Sequence, residues 1–198
     1  NSKINIIFDF DGVIINSHKV KTLAFYNIFK LYGKNIGIKA KRFHLENIGK
    51  SRYYKFRFIL KNILKSKFTK KKMQILDKQF DYFVEKNLKK MMPSKYLIKF
   101  LKKSKNTRNT YISTGTPQKK IIKILKEKRL LNYFNKVYGS PQSKIKHIKK
   151  IKKNNKKCIF IGDSFEDFKA ARFSNIKFIL KINSENLSLR NKISLNTI

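Results

Sequence analysis

An α/β architecture, a parallel sheet whose first strand is followed by an all-helical insertion, is the fold class this sequence predicts. Three observations carry it. Short apolar runs followed within two residues by acidic or hydroxyl residues recur at Ile4-Asn5-Ile6-Ile7-Phe8, Thr110-Tyr111-Ile112-Ser113 and Cys158-Ile159-Phe160-Ile161. Beyond Pro93 such runs alternate with helical stretches, the pattern of strands joined by crossover helices. From about Ser17 to Met92, in contrast, the apolar spacing is helical throughout.

The elements follow in order. Residues 3–8 read as a buried strand, closed by Asp9-Phe10-Asp11-Gly12. Val20, Leu23, Ala24, Phe25, Ile28, Phe29 and Leu31 share one face of a helix that ends at Tyr32-Gly33. Further helices are predicted over 38–47, 51–65 and 70–91, the last with Thr69 as N-cap and Pro93 as the breaker behind it. A helix over 94–104 leads to a strand at 110–113, with Thr114-Gly115-Thr116-Pro117 as the loop behind it. A helix at 117–128, a strand at 136–138, a helix at 143–154, a strand at 157–161, a helix at 164–173 and a strand at 177–181 complete the alternation. Such alternation implies parallel strands with right-handed crossovers, covered on both faces. The predicted organisation is a core of residues 1–15 and 93–182, a helical cap of residues 16–92, and a loosely attached tail of residues 183–198, rich in Asn and Ser and without period.

At 198 residues and 23.6 kDa the chain has room for one domain with a sizeable insertion, and 41% apolar residues are enough for a core. A lone Cys158 inside an apolar run excludes an internal disulfide and reads as a small core residue. No run approaches a membrane span, and the start lacks a cleavable leader, so the sequence reads as a soluble, cytoplasmic protein with no membrane partner. Forty-nine basic against 11 acidic residues give a net charge of +38. The lysines are scattered along the whole chain instead of forming one patch, so most read as solvated helix faces, and a nucleic-acid partner is not expected despite the charge. A non-catalytic polyanion-binding protein stays open as the reading from another class.

Scarcity makes the acids informative. Of six aspartates, four fall in two tight pairs, Asp9/Asp11 and Asp163/Asp167, each just behind an apolar run. Mutually repelling carboxylates at the carboxyl ends of parallel strands, where open sheets bind ligands, call for a cation or a chemical task. Thr114 lies behind the second predicted strand, and Lys144 follows Gly139-Ser140-Pro141-Gln142-Ser143 at the start of a helix. Carboxylates around a hard cation, with an ammonium and a hydroxyl close by, suit a transferring phosphoryl group.

Asp9-Phe10-Asp11-Gly12-Val13, Ser113-Thr114-Gly115-Thr116, Lys144 and Gly162-Asp163-Ser164-Phe165-Glu166-Asp167 match, in order and spacing, the four motifs of the haloacid dehalogenase superfamily. Over residues ~4–181 the chain resembles its capped members, of the phosphoglycolate phosphatase and β-phosphoglucomutase kind. The resemblance implies a Rossmann-like core and an Mg2+-dependent phosphatase acting on a small phosphorylated metabolite, with a sugar phosphate as one candidate. It implies Asp9 as the nucleophile, Asp11 as the general acid and base, and Thr114, Gly115 and Lys144 around the phosphoryl oxygens. Family spacing favours Thr114 over Ser113. Asp9, Asp163 and the Phe10 carbonyl beside Asp11 would hold Mg2+, with Asp167 as a further ligand or behind it. Gly49-Lys50-Ser51-Arg52 resembles a cap loop that presents an Arg to the distal anion of the substrate, which makes Arg52 the candidate for specificity; Ser51 as a plain helix cap is the competing reading. A phosphomutase of the same superfamily is the alternative, because it would use the same pair of aspartates. Haloacid dehalogenation is disfavoured by the presence of Asp11.

Overall fold

The computed structural model describes residues 3–153, 157–183 and 186–194. The chain divides into two compact units, one made of the segment up to Asn16 with that from Met92 onwards, the other of Ser17–Met91. Among the described residues no helix is long and apolar enough to cross a membrane.

The Ser17–Met91 unit is helical. It contains α1 (His18–Phe29), a 3-10 turn (Lys30–Tyr32), α2 (Lys34–Glu46), α3 (Arg52–Phe58), a π-helical turn (Ile59–Ile63) and α4 (Lys70–Lys90). Its core is built on Phe25, whose ring lies 4.4 Å from His44, 5.3 Å from Phe80 and 5.4 Å from Phe56. Aromatic rings at such spacings add edge and offset contacts to the burial of their area. Ser51 and Thr69 cap α3 and α4, accepting hydrogen bonds from Tyr54 N and Lys72 N. The single helix predicted over 51–65 is broken at Phe58, where Leu64 N donates five residues back to Ile59 O. A π-turn keeps the apolar face in register across an extra residue, and periodicity alone does not reveal it.

In the other unit β1 (Asn5–Phe8), β2 (Asn109–Pro117), β3 (Lys136–Ser140), β4 (Cys158–Gly162) and β5 (Lys177–Leu180) form an all-parallel sheet of order β3-β2-β1-β4-β5. The connections are α5 (Lys95–Ser104), α6 (Gln118–Glu127), α7 (Lys144–Lys152) and α8 (Phe165–Phe173), with α9 (Leu187–Ser194) after β5. β1 is the central strand and is apolar on both sides. Ile7 packs with Ile148, Ile151, Phe160, Ala170 and Ala171, while Phe8 meets Phe100 and Phe134 edge to face. Cys158 lies in the first of these clusters.

Two predicted segments turn out otherwise. β2 runs on to Pro117, past the predicted loop at 114–117, with its register against β3 shifting between Ser113 and Pro117. At the end of that shift the Gln118 side chain donates to Val137 O at 2.9 Å and accepts from Gly139 N at 2.5 Å, standing in for the missing ladder bonds. Gly139 has no room for a Cβ, which would meet Thr116 O at 2.5 Å. In the segment read as a tail, α9 forms over Leu187–Ser194; residues 184–185 and 195–198 lie outside the described ones.

Candidate active site

The strand order reverses about β1, so the carboxyl ends of β1, β2 and β4 border the crevice where open α/β sheets bind ligands. Asp9 follows β1 directly and is 3% exposed. Its backbone N–H donates to Ile161 O of β4, which continues the ladder and fixes the residue at the sheet's end. Behind it the chain turns: Gly12 takes φ +75° and its N–H donates to Ile15 O. A left-handed residue of this kind is cheap for glycine and costly for others.

Lys144 is buried at the start of α7, which Ser143 caps through Lys146 N. Its Nζ lies 2.5 Å from Asp167 Oδ1 and 3.2 Å from Asp9 Oδ1. Asp167 is in turn locked by a capping box at the start of α8: its Oδ2 accepts from Ser164 N at 3.1 Å and Ser164 Oγ at 2.5 Å, and Ser164 Oγ accepts from Asp167 N. Among the described helices, α8 is the one whose first turn carries acids. Asp9, Asp163 and Asp167 each offer an oxygen within 4.8 Å of the others, and all three are buried.

Charge follows from this geometry. Burial drives the Asp9 carboxyl well above its ordinary pKa, Lys144 opposes that, and the carboxylates of Asp167, Asp11 and Asp163 add to the rise. For Lys144, burial works to lower the pKa, but Asp167 and Asp9 outweigh it and raise the group above the usual lysine value. Three buried carboxyl groups thus gather hard oxygen donors at one point beside the Lys144 ammonium. That donor set fits a divalent cation of the Mg2+ class.

The structure brings Asp9, Lys144, Asp163 and Asp167 together, with Asp11 tied to the end of β2: Thr116 Oγ1 donates to Asp11 Oδ2 at 3.1 Å. Thr114 is fully buried on the extended part of β2, its Oγ1 accepting from Thr116 N, with Gly115 partly exposed between them. Ser113 faces elsewhere, its Oγ 3.0 Å from His147 Nδ1 on α7. His147 stacks on Tyr138, and burial and Lys144 push its pKa down to about 4, so the ring is neutral.

One metal expectation is corrected. The Phe10 carbonyl accepts from both Ile14 N and Ile15 N, at 2.9 and 3.1 Å, which occupies its lone pairs within the turn and leaves none for an ion. Arg52 has a use inside the helical unit that sequence reasoning did not find. Its Nε lies 3.2 Å from Asp77 and its Nη1 2.8 Å from Asp81, with the guanidinium over the Phe80 ring. A fork already facing two carboxylates has no net charge to offer a distal anion, which supports a structural role. The signal was available: the remaining two aspartates of an acid-poor chain stand four residues apart on one helix. Thr116 stands inside the second motif but is given no role by the sequence, and nothing in the local sequence of Asn183 and Asn186 distinguishes them.

Comparison with known proteins gives the family and the fold. A family model for haloacid dehalogenase-like hydrolases matches residues 6–181. No curated protein matches the chain. Among solved structures, β-phosphoglucomutase from Clostridium difficile superposes with a TM-score of 0.76 at 18% identity, covering 94% of this chain and 88% of that one. A haloacid dehalogenase-like hydrolase from Bacteroides fragilis gives 0.75 at 15% identity, covering 98% and 93%. A protein assigned as a phosphoglycolate phosphatase from Haemophilus somnus gives 0.69 at 18%, covering 90% and 84%.

Proposed function

Because the chain belongs to the haloacid dehalogenase-like hydrolases, we propose that this enzyme hydrolyses the phosphate monoester of a small metabolite through an aspartyl-phosphate intermediate, with Mg2+ or a similar hard cation at the carboxylate cluster. The observation that carries the reading is the burial of Asp9, Asp163 and Asp167 within 4.8 Å of one another around Lys144. Asp9 and Asp163 would hold the ion, while Asp167, engaged by Lys144 and Ser164, stands behind them. When bound, the ion supplies positive charge that offsets repulsion between carboxylates and phosphate.

The chain's own groups divide the rest of the work. An Asp9 oxygen attacks phosphorus and the ester oxygen leaves, taking a proton from Asp11. Asp11 then accepts a proton from the water that attacks the phosphorus of the acyl phosphate, which frees inorganic phosphate and restores Asp9. Thr116 orients Asp11 by its hydrogen bond. Lys144 restrains Asp9 and, with Thr114 and the Gly115 backbone, faces the phosphoryl oxygens. A sugar phosphate is one candidate substrate, and the basic surface draws such anions toward the protein.

Hydrolysis of p-nitrophenyl phosphate tests the reading. Activity is expected with Mg2+ and lost in chelator, and Asp9→Asn is expected to reduce turnover at least ~10³-fold without unfolding the protein. Full activity in chelator, or an active Asp9→Asn, overturns it. A panel of phosphorylated sugars, phosphoglycolate and nucleotides then identifies the substrate; an isomeric phosphate as product, in place of inorganic phosphate, marks a mutase. Salt-resistant binding of DNA or RNA without turnover favours the polyanion-binding reading.

A further inference from the structure

Two asparagines between β5 and α9 reach one residue of the site. Asn183 Nδ2 donates to Asp163 Oδ2 at 3.0 Å, and Asn186 Nδ2 donates to the main-chain carbonyl of the same residue at 2.7 Å. The two asparagines also hold each other and the strand end behind them. Asn186 Oδ1 accepts from Asn183 N at 2.8 Å, and Asn186 Nδ2 donates to Lys181 O at 2.9 Å. Lys181 in turn donates from its backbone N to Gly162 O, just before Asp163, and from Nζ to Val13 O in the turn after Asp11. Asp163 is therefore gripped at its carboxylate and its carbonyl by two side chains from one short segment.

The kind of donor matters. Asp9 and Asp167 face the ammonium of Lys144, and the Lys181 ammonium acts on Asp163 through its field, whereas the hydrogen bond that orients the Asp163 carboxylate comes from an amide. The Asn183 amide is neutral, so it fixes a carboxylate's orientation without cancelling its charge. A carboxylate that must be held correctly turned toward a hard cation is served by such a partner. We propose that Asn183 is a positioning residue for Asp163, braced by Asn186, and that these two asparagines set the affinity of the carboxylate cluster for its divalent cation. This rests on the reading that Asp163 binds such an ion.

Titration calorimetry with Mg2+, or Mn2+ followed by electron paramagnetic resonance, measures that affinity without turnover. Asn183→Ala is expected to weaken binding by ~10-fold or more, within the range for partners that orient metal ligands, while the melting temperature in chelator changes little. Asn183→Gln, which keeps the amide, is expected to recover at least part of the loss. Metal affinity of Asn183→Ala within about twofold of wild type overturns the proposal, as does a lowered melting temperature in chelator with affinity unchanged, since that is the mark of a purely structural residue. If wild type itself binds neither ion, the functional reading fails and this proposal with it; wild type that binds while Asn183→Ala binds equally well refutes the role of Asn183 alone.

Discussion

Replacing Lys144 by Met removes the ammonium that faces the buried carboxylates of Asp167 and Asp9 while keeping most of the side chain's volume. Its Nζ stands 2.5 Å from Asp167 and 3.2 Å from Asp9, in a side chain only 8% exposed. At an effective dielectric constant of ~20, those separations correspond to gross attractions of roughly 7 and 5 kcal/mol. Most of this is offset by the cost of burying the charges, and breaking one partner out of a buried pair costs about 3–5 kcal/mol. For a chain of this size that is a fall in Tm of roughly 6–20 °C. The direction is diagnostic. In a chain of net charge +38, neutralising an exposed lysine such as Lys99 relieves repulsion and is expected to leave Tm unchanged or raise it slightly. Thermal unfolding of wild type, Lys144→Met and Lys99→Met in chelator makes the comparison, and Mg2+ is expected to return part of the loss in Lys144→Met by supplying the missing positive charge. A shift below about 2 °C in chelator would refute the electrostatic account of the site.

The other predictions concern the supports of the site and of the helical unit. Arg52→Ala is expected to cost about 2–4 kcal/mol, because the Asp77 and Asp81 carboxylates lose the guanidinium that faces both; a denaturation midpoint equal to wild type rules this out. Gly162→Ala places a Cβ 2.4 Å from Asp167 Cβ and 2.6 Å from its Cγ, so it is expected to push Asp167 away from Lys144 and to lower both Tm and phosphatase activity; normal values of both would contradict the packing. His147, held near pKa 4 in the folded protein by burial and Lys144, takes up a proton in the unfolded chain first. Its contribution is therefore intact above the unfolded pKa of about 6.5 and is lost as pH falls toward about 4, by up to ~3 kcal/mol. His147→Gln is expected to flatten the stability curve between those limits, and an unchanged slope would show that the ring is not the titrating group.

The readable part of the site consisted of residues whose rarity or position marked them. In a chain with so few acids, Asp9, Asp11, Asp163 and Asp167 behind apolar runs stood out, and the alternation beyond Pro93 was enough for a parallel sheet. Lys144 was hidden among many lysines and became visible only through its spacing from the other motifs. Gly115 between Thr114 and Thr116, with Pro117 behind them, predicts a loop, whereas the register shift of β2 and the Gln118 side chain carry the strand through both threonines. Asn183 and Asn186 were opaque for another reason. Asparagine in an aperiodic segment says nothing about what it will meet, and their partner Asp163 is reached only when β4 and β5 lie side by side.

The central place of β1 has a consequence for how the molecule is made. Phe8 pairs with Ile112 and Ile161, about 100 and about 150 residues further along the chain. At a synthesis rate of ~5–20 residues per second, the emerging polypeptide carries this apolar strand for roughly 8–30 s before its second neighbour exists. The helical unit, built from the continuous segment Ser17–Met91, can close during that interval, but β1 cannot. An unpaired run of Ile-Ile-Phe on a nascent chain is a sticky segment. Yield in the cell is therefore expected to depend on chaperone supply, and slowing synthesis between the helical unit and β4 lengthens that exposure and favours inclusion bodies.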